Sequence, residues 1–265
     1  MQIKLENNNY EDTLNLQRKY PTVVIDDFFT KPDLIRKYAL SLPYEKNMDG
    51  RFPGQRTPLL HTVNEKLVYS IAKKILSVYY DLHTEVYWHS IQMSFQKIKP
   101  YSKDKNSNLN KGWIHTDGVR TLAGVIYLTP RVEVDTGTSI FKIKKKYINY
   151  DIKKRQNAKD SLYKEGSYNL KAYDKEINSL YNKFDKVTEV KNLYNRCILY
   201  DAHEYHTGTN YFTNDRERLS LVFFFTNLTS SIPPKDRIMY FDKEIEFDII
   251  NCKTNGKDSN KYTWS

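Results

Sequence analysis

The sequence predicts an α+β protein, mainly β, with a barrel or jelly-roll core preceded by helices. Three observations carry that expectation. Apolar residues recur at helical spacing in two stretches before residue 83, the period shortens towards two from Val86 onward, and the strand-like segments are short, apolar and bounded by polar loops. Helices followed by a run of short strands fit an α+β layering around a closed or rolled β core. A chain of 265 residues suffices for one large domain or two small ones. Its 39% apolar content, with 22 Tyr and 12 Phe, fills a sizeable core despite a negative mean hydropathy.

Along the chain, residues 1–20 read as a polar arm. Thr22 to Phe29 reads as a short buried strand running into a helix start, with Thr30 as N-cap and Pro32 and Asp33 in the first turn. Leu34-Ile35 and Tyr38-Ala39-Leu40 continue that helix. Residues 45–60 are punctuated by Gly50, Pro53, Gly54 and Pro58 and read as loop. A second amphipathic helix is expected from Leu67 to Leu82, with Leu67, Ile71, Ile75 and Tyr79 on one face. Strands follow: Ile91, Met93, Phe95 and Ile98 alternate roughly, Pro100 to Gly112 is a polar loop, and Leu122–Leu128 and Gly137–Ile143 are apolar. Lys144 to Asn192 is rich in Lys, Tyr, Asp and Asn, with helical spacing near Ile177, Leu180 and Phe184. Strands resume at Arg196–Tyr200 and Arg218–Thr226, and another is expected near Ile245–Ile250. With no internal repeat and no clear linker, the expectation is one domain over 1–265. It comprises a helical part at about 20–85, a β core at about 86–228, an insertion at about 144–192 and a C-terminal extension at 229–265.

Several classes are excluded or disfavoured. The apolar run Leu219–Phe225 is too short to cross a bilayer, and MQIKLENNNYEDT has no apolar stretch of the signal-peptide kind. Cys197 and Cys252 are too few for a disulfide scaffold or a thiolate zinc site, so a reducing, cytoplasmic setting is expected, without a membrane. A formal charge of +10 invites a nucleic-acid partner. AT-rich codons favour Lys, Asn, Ile, Tyr and Phe together, however, and no zinc-finger spacing or RNP-type string accompanies the charge. Nucleic acid is therefore the less favoured partner, behind a small-molecule or peptide substrate.

The chemistry centres on His115-Thr116-Asp117. Residues two apart on a strand share a face, so His115 and Asp117 can offer adjacent ligands. A third must come from His61, His83, His89, His203 or His206. The best candidates follow the strand Cys197–Asp201. His206, before Thr207-Gly208, lies where that strand ends and a turn begins; His203 faces the other way on a regular strand, and a local kink would reverse the choice. Two imidazoles and one carboxylate suit a divalent iron with open coordination positions. Arg218 and Ser220 share a face of the apolar strand that follows. A buried guanidinium there needs an anion; the alternative is a solvated strand end with Arg218 paired to Asp or Glu. Arg51-Phe52-Pro53-Gly54-Gln55-Arg56 either lines an entrance or forms an ordinary surface turn. Trp88, His89, Gln92, Trp113 and Arg120 are further substrate-contact candidates, with core packing the usual role of the two tryptophans.

The order His-x-Asp, distal His, then Arg-x-Ser resembles the iron(II)/2-oxoglutarate-dependent dioxygenase superfamily, in its prolyl-hydroxylase-like branch. Trp113-Ile114-His115-Thr116-Asp117-Gly118 resembles the metal-binding segment of that branch. Leu122-Ala123-Gly124-Val125-Ile126-Tyr127-Leu128 resembles the following strand. Gly137-Thr138-Ser139-Ile140-Phe141 resembles the Gly-Gly-Thr-type strand, with Thr136 in place of the first glycine. Tyr194-Asn195-Arg196 before Cys197–Asp201, and Val24–Phe29, are similar to further segments of the group. The resemblance covers roughly residues 22–42 and 88–228. It implies a double-stranded β-helix of the jelly-roll, cupin-like kind. Fe(II) would be held by His115, Asp117 and His206, and 2-oxoglutarate by Arg218, Ser220 and the Tyr127 hydroxyl, with O2 as oxidant. The implied activity is hydroxylation of a peptidyl proline, an amino acid or another small molecule, with succinate and CO2 as co-products. Asp117 argues against a halogenase, where Gly or Ala is implied. The span from His115 to His206 is longer than in compact members because of the Lys-rich insertion. Arg216 precedes Arg218, whereas the nucleic-acid demethylases place a second arginine beyond the first. The alternatives are a nucleic-acid-modifying member of the superfamily and a metal-binding or structural jelly roll that is not an oxygenase.

Overall fold

Two apolar periodicities account for most of the core, and both are visible in the computed structural model. It describes residues 20–230 apart from 82, 151–156, 165–168 and 215, together with 232 and 234. The chain divides into units Met1–Pro234 and Lys235–Ser265. The second unit, which contains the strand expected near Ile245–Ile250, lies outside the described residues, as do residues 1–19 of the polar arm.

The N-terminal part starts with β1 (Val23–Ile25) and α1 (Pro32–Ser41). Lys31, not Thr30, occupies the N-cap, with no side-chain cap bond. The preset φ of Pro32 at the first helical position starts the helix instead. β2 (Glu45–Lys46) and β3 (Gln55–Arg56) form a hairpin where loop alone was expected. After α2 (Leu60–Val63), the Asn64 side chain accepts the Leu67 N–H at 3.0 Å and caps α3 (Glu65–Leu76). α3 ends six residues short of the expected Leu82, and Val78, Tyr79 and Tyr80 turn into the core.

The remaining elements are β4 (Val86–Tyr87), β5 (Ser90–Ile98), β6 (Arg120–Tyr127), β7 (Thr138–Ile143), α4 (Asn157–Tyr163), α5 (Leu170–Tyr181), β8 (Phe184–Val190), β9 (Cys197–Asp201), β10 (Tyr205–Gly208), β11 (Arg218–Thr226) and β12 (Thr229–Ser230). They build a seven-stranded antiparallel sheet in the order β1-β9-β6-β11-β5-β3-β2, a three-stranded sheet β10-β7-β8 and a small pair β12-β4. The architecture is thus α+β, mainly β, with a jelly-roll core.

Alternation along the large sheet separates two buried faces. On β11, Leu219, Leu221, Phe223 and Phe225 join Met93, Phe95, Leu122, Ile126, Cys197 and Leu199 under α1 and α3. The residues between them, including Arg218, Val222 and Phe224, face a pocket towards the small sheet. Ala123, Tyr127, Ile198 and Tyr200 of the large sheet meet Ile140 and Val190 of the small one. The outer side of the small sheet is covered by the insertion, where Tyr173, Ile177 and Leu180 of α5 pack with Phe141, Phe184 and Trp113. The last part of that insertion is not helical. Phe184 begins β8, which pairs with β7 along its length.

Candidate metal centre and its pocket

His115 does not lie in a regular strand, contrary to the expectation for His115-Thr116-Asp117. It forms an isolated antiparallel bridge with His206, each backbone N–H donating to the other's carbonyl at 3.0 and 2.9 Å. Gly112 permits this approach, because a Cβ there would meet Thr207 Oγ1 at 2.1 Å and the Gly208 carbonyl at 2.4 Å. His206 does not sit at the end of the Cys197–Asp201 strand. The chain turns at 202–204 and crosses to the small sheet, where His206 is the second residue of β10. The Asp117 N–H donates to the Ala202 carbonyl at 2.9 Å, so that same turn holds the third side chain.

The three side chains converge. One ligand atom from each of His115, Asp117 and His206 lies within 4.8 Å of the others. His115 Nε2 is 3.8 Å from one Asp117 oxygen, and His206 Nε2 is 3.4 Å from the other. Each imidazole donates its Nδ1–H to a backbone carbonyl, His115 to Trp113 at 2.7 Å and His206 to Glu204 at 2.8 Å. A carbonyl can only accept, so this bond fixes the tautomer that leaves the Nε2 lone pair aimed at the centre. Burial and the neighbouring His206 push the His115 pKa down to about 4, so its ring is neutral and able to ligate near pH 7. The 44% of its side chain that remains exposed borders the pocket. Asp117 Oδ2 is buried without a hydrogen-bond partner. Two imidazole Nε2 atoms and a buried carboxylate oxygen without a hydrogen-bond partner converge here, and that donor set fits a divalent metal. His203 is elsewhere. Its backbone and ring nitrogens both engage Asp201 Oδ1 at 2.9 Å.

A cavity of about 570 Å³ opens over this cluster, and Arg218 lines it from the large sheet. Arg218 is only 4% exposed, which removes the solvated-end alternative; the neighbouring Glu217 is the residue that reaches Lys97 and Lys99. Arg218 Nε and Ser220 Oγ are both buried with no hydrogen-bond partner. The Arg218 guanidinium carbon is 5.4 Å from the Tyr127 ring centroid and 5.9 Å from that of Tyr211. The Tyr127 hydroxyl donates to Thr138 Oγ1 at 2.7 Å, and Thr138 rather than Tyr127 borders the cavity. A buried guanidinium with an orphan donor beside an orphan hydroxyl is shaped for a carboxylate.

Other sequence candidates divide. Gln92, Trp113 and Arg120 line the cavity, and Trp113 also packs in the insertion core with Nε1–H donating to Tyr173 at 3.0 Å. Trp88 packs against Phe225 and the α3 core, and His61, His83 and His89 do not border the cavity. The Arg51–Arg56 segment is not an ordinary surface turn, since Arg51, Phe52, Pro53 and Arg56 all border the cavity. Thr138 and Tyr200 fall in segments that carry the resemblance but are not singled out there as site residues, and neither are Tyr211 nor α4, which contributes Lys159 and Tyr163 as a wall. Burial keeps the Tyr200 and Tyr211 hydroxyls protonated, raising both above the usual phenol range.

Fold and site together define a jelly roll with a two-histidine, one-carboxylate cluster at the base of a cationic pocket. The chain belongs to the family described as "Family of unknown function (DUF6445)", whose profile matches residues 9–218. No curated protein matches the sequence. Among solved structures, the chain is similar to a prolyl hydroxylase from Trichoplax adhaerens in complex with a hypoxia-inducible-factor peptide fragment, at 10% identity over 84% of this chain and 94% of that one, TM-score 0.43. It is similar to a Pseudomonas putida prolyl-4-hydroxylase at 11% identity, covering 82% and 98%, TM-score 0.42. EvdO2 from Micromonospora carbonacea var. aurantiaca matches at 10% identity, covering 89% and 98%, TM-score 0.47. Among the described residues no helix is long and apolar enough to cross a membrane.

Proposed function

We propose that this chain is an Fe(II)- and 2-oxoglutarate-dependent oxygenase that hydroxylates a small molecule, an amino acid or a peptidyl proline. One observation carries the reading. The convergent His115, Asp117 and His206 ligand atoms share a single cavity with Arg218, a buried guanidinium for which the described residues supply no anion. His115, Asp117 and His206 would hold the metal, and Arg218 with Ser220 would hold the far carboxylate of 2-oxoglutarate, with Tyr127 fixing Thr138 beside it. Iron with 2-oxoglutarate supplies oxidation of a C–H bond by O2, in which R–H, 2-oxoglutarate and O2 give R–OH, succinate and CO2. The chain's own contribution is placement and exclusion of water. Val125, Val222 and Phe224 line the cavity from the large sheet, and Trp113 and Tyr163 line it from the other side. Such a lining strengthens each charge contact inside it.

Anaerobic titration of the full chain with Fe(II), then with 2-oxoglutarate, tests the reading through the weak visible charge-transfer band of the ternary complex. The expected result is a stoichiometric band that His206→Ala abolishes and His203→Ala leaves intact. No stoichiometric Fe(II) binding would sink the proposal. Metal binding with no response to 2-oxoglutarate would point instead to a cupin-type metal protein.

A further inference from the structure

The cavity holds more positive charge than the proposed metal and co-substrate consume. Arg56, from β3, and Arg120, from the start of β6, both border it. The Arg56 guanidinium carbon stacks 4.0 Å from the Phe52 ring centroid and 5.7 Å from that of Phe224, and Arg120 stacks 4.6 Å from Phe224. Two guanidiniums thus share one aromatic ring. Among the described residues no carboxylate lies within ion-pair reach of either one, and Arg56 Nε is buried with no hydrogen-bond partner. Arg120 donates to the Asp117 carbonyl at 3.1 Å and to Gln92 at 3.0 Å, which leaves its remaining N–H donors for the cavity. The other cations at this wall are already matched, Arg51 to Asp49 at 2.8 Å and Lys159 to Asp160 at 3.4 Å.

The segment carrying Arg56 is built to hold it still. Gln55 and Arg56 pair with Lys97 and Gln96 of β5, and Gln96 donates to the Pro53 carbonyl at 2.7 Å. The Gly54 N–H donates to the Tyr101 hydroxyl at 3.2 Å, and Asn47 donates to the Phe52 carbonyl. Gly54 has φ +71° and sits where a Cβ would be 2.0 Å from the Lys97 carbonyl, so only glycine lets this strand lie so close to β5. Burial, reinforced by Arg120, pushes Arg56 down to about 10 although Asp117 opposes the shift, so it stays charged at neutral pH. A fixed, charged guanidinium with a buried, unpartnered Nε and no carboxylate in ion-pair contact among the described residues is unfavourable unless a ligand supplies one.

Charge matching then separates the roles. A divalent metal with Asp117, and a dianionic 2-oxoglutarate with Arg218, sum to neutrality and leave Arg56 and Arg120 unmatched. Resting on the function proposed above, we propose that Arg56 and Arg120 form an oxyanion subsite for the substrate, which therefore carries a carboxylate or phosphate group. The planar forks of two arginines suit either oxyanion. The cavity's volume of about 570 Å³ suits a small molecule or a single acidic side chain.

Calorimetric titration of the full chain tests this, with the protein loaded anaerobically with Mn(II) and 2-oxoglutarate and in parallel metal-free. The probes are phenyl phosphate, benzoate and, as a neutral control, benzyl alcohol. Phenyl phosphate, benzoate or both are expected to bind, and the stronger of the two identifies the oxyanion; benzyl alcohol is expected to bind at least tenfold more weakly. Arg56→Met is expected to weaken the anion at least tenfold while 2-oxoglutarate affinity stays within about twofold. Arg120→Gln, whose side chain is only partly buried, gives the same reading should Arg56→Met fail to fold. Unchanged anion affinity in the folded variants, or equal binding of the neutral control, overturns the subsite. Loss of 2-oxoglutarate binding in Arg56→Met also overturns it, by making Arg56 a co-substrate anchor, and leaves the oxygenase reading standing. Arg56-dependent anion binding by a protein that takes up neither metal nor 2-oxoglutarate keeps the subsite and removes the oxygenase.

Discussion

At Arg218 the protein buries a guanidinium whose Nε has no partner, an arrangement that lowers the stability of the ligand-free fold. Replacing it with methionine, which fills similar space without charge, should therefore stabilise the ligand-free chain by about 1–3 kcal/mol, or roughly 2–10 °C in Tm for a chain of this size. The same change should weaken 2-oxoglutarate about a hundredfold or more, as truncating a buried charge partner does. Thermal melting and anaerobic titration check the two halves, and a destabilised Arg218→Met would show that the arginine is structural. Gly112 makes the opposite kind of contribution. Gly112→Ala places a methyl group against Thr207 and the Gly208 carbonyl, which pushes the His115 segment off β10. Metal affinity should fall about 10- to 100-fold, the range for losing a ligand's orienting contacts. An unchanged Mn(II) affinity would mean that His115 is positioned by the Trp113 carbonyl alone.

At the scale of the element, β11 carries two functions on alternate residues. Phe223 is fully buried on the helix side, and Gly124 opposite it leaves room for its ring, where a Cβ would lie 2.4 Å away. Phe223→Ala should cost about 3–5 kcal/mol in denaturant unfolding while the folded protein keeps its metal and 2-oxoglutarate affinities. Coupled loss of stability and affinity in that variant would contradict the two-faced reading. The same alternation explains what the sequence disclosed. β11 was legible from Arg218 to Thr226 because both its faces are buried and its apolar run has sharp ends. The β2–β3 hairpin was not, since Glu45, Lys46, Gln55 and Arg56 carry no apolar signal, and their register is a pairing with each other and with β5 that no local pattern announces. β8 was read as insertion because Asp185, Lys186, Val187 and Thr188 are exposed on an edge strand, where charge discourages further pairing. In the site, the spacing His-x-Asp and Arg-x-Ser was visible. That a turn at 202–204 carries His206 to the second sheet, and that Arg56 arrives from β3, are long-range facts that no local pattern encodes.

Within the Met1–Pro234 unit, the large sheet contributes residues to both the helix-side core and the pocket, so binding at one face should be felt at the other. Cys197 reports on this. It is completely buried on β9 facing the helices, burial pushes its thiol well above the usual range, and its neighbour Ile198 packs towards the small sheet. Thiolate chemistry at Cys197 therefore requires the sheet to open. In a Cys252→Ser chain, which has a single thiol, alkylation of Cys197 should be negligible in the native state and complete in denaturant. If the sheet opens only on global unfolding, a ligand held at a hundred times its dissociation constant stabilises the fold by about 2.7 kcal/mol, and labelling should slow about a hundredfold in the regime where opening is a rapid equilibrium. Mn(II) with 2-oxoglutarate is the ligand to use, with Arg218→Met as the control in which 2-oxoglutarate adds no protection beyond that of Mn(II). Labelling that stays fast in the presence of saturating ligand would mean that β9 and the helix layer open locally while the pocket remains closed, and that the two faces of the sheet are energetically separate.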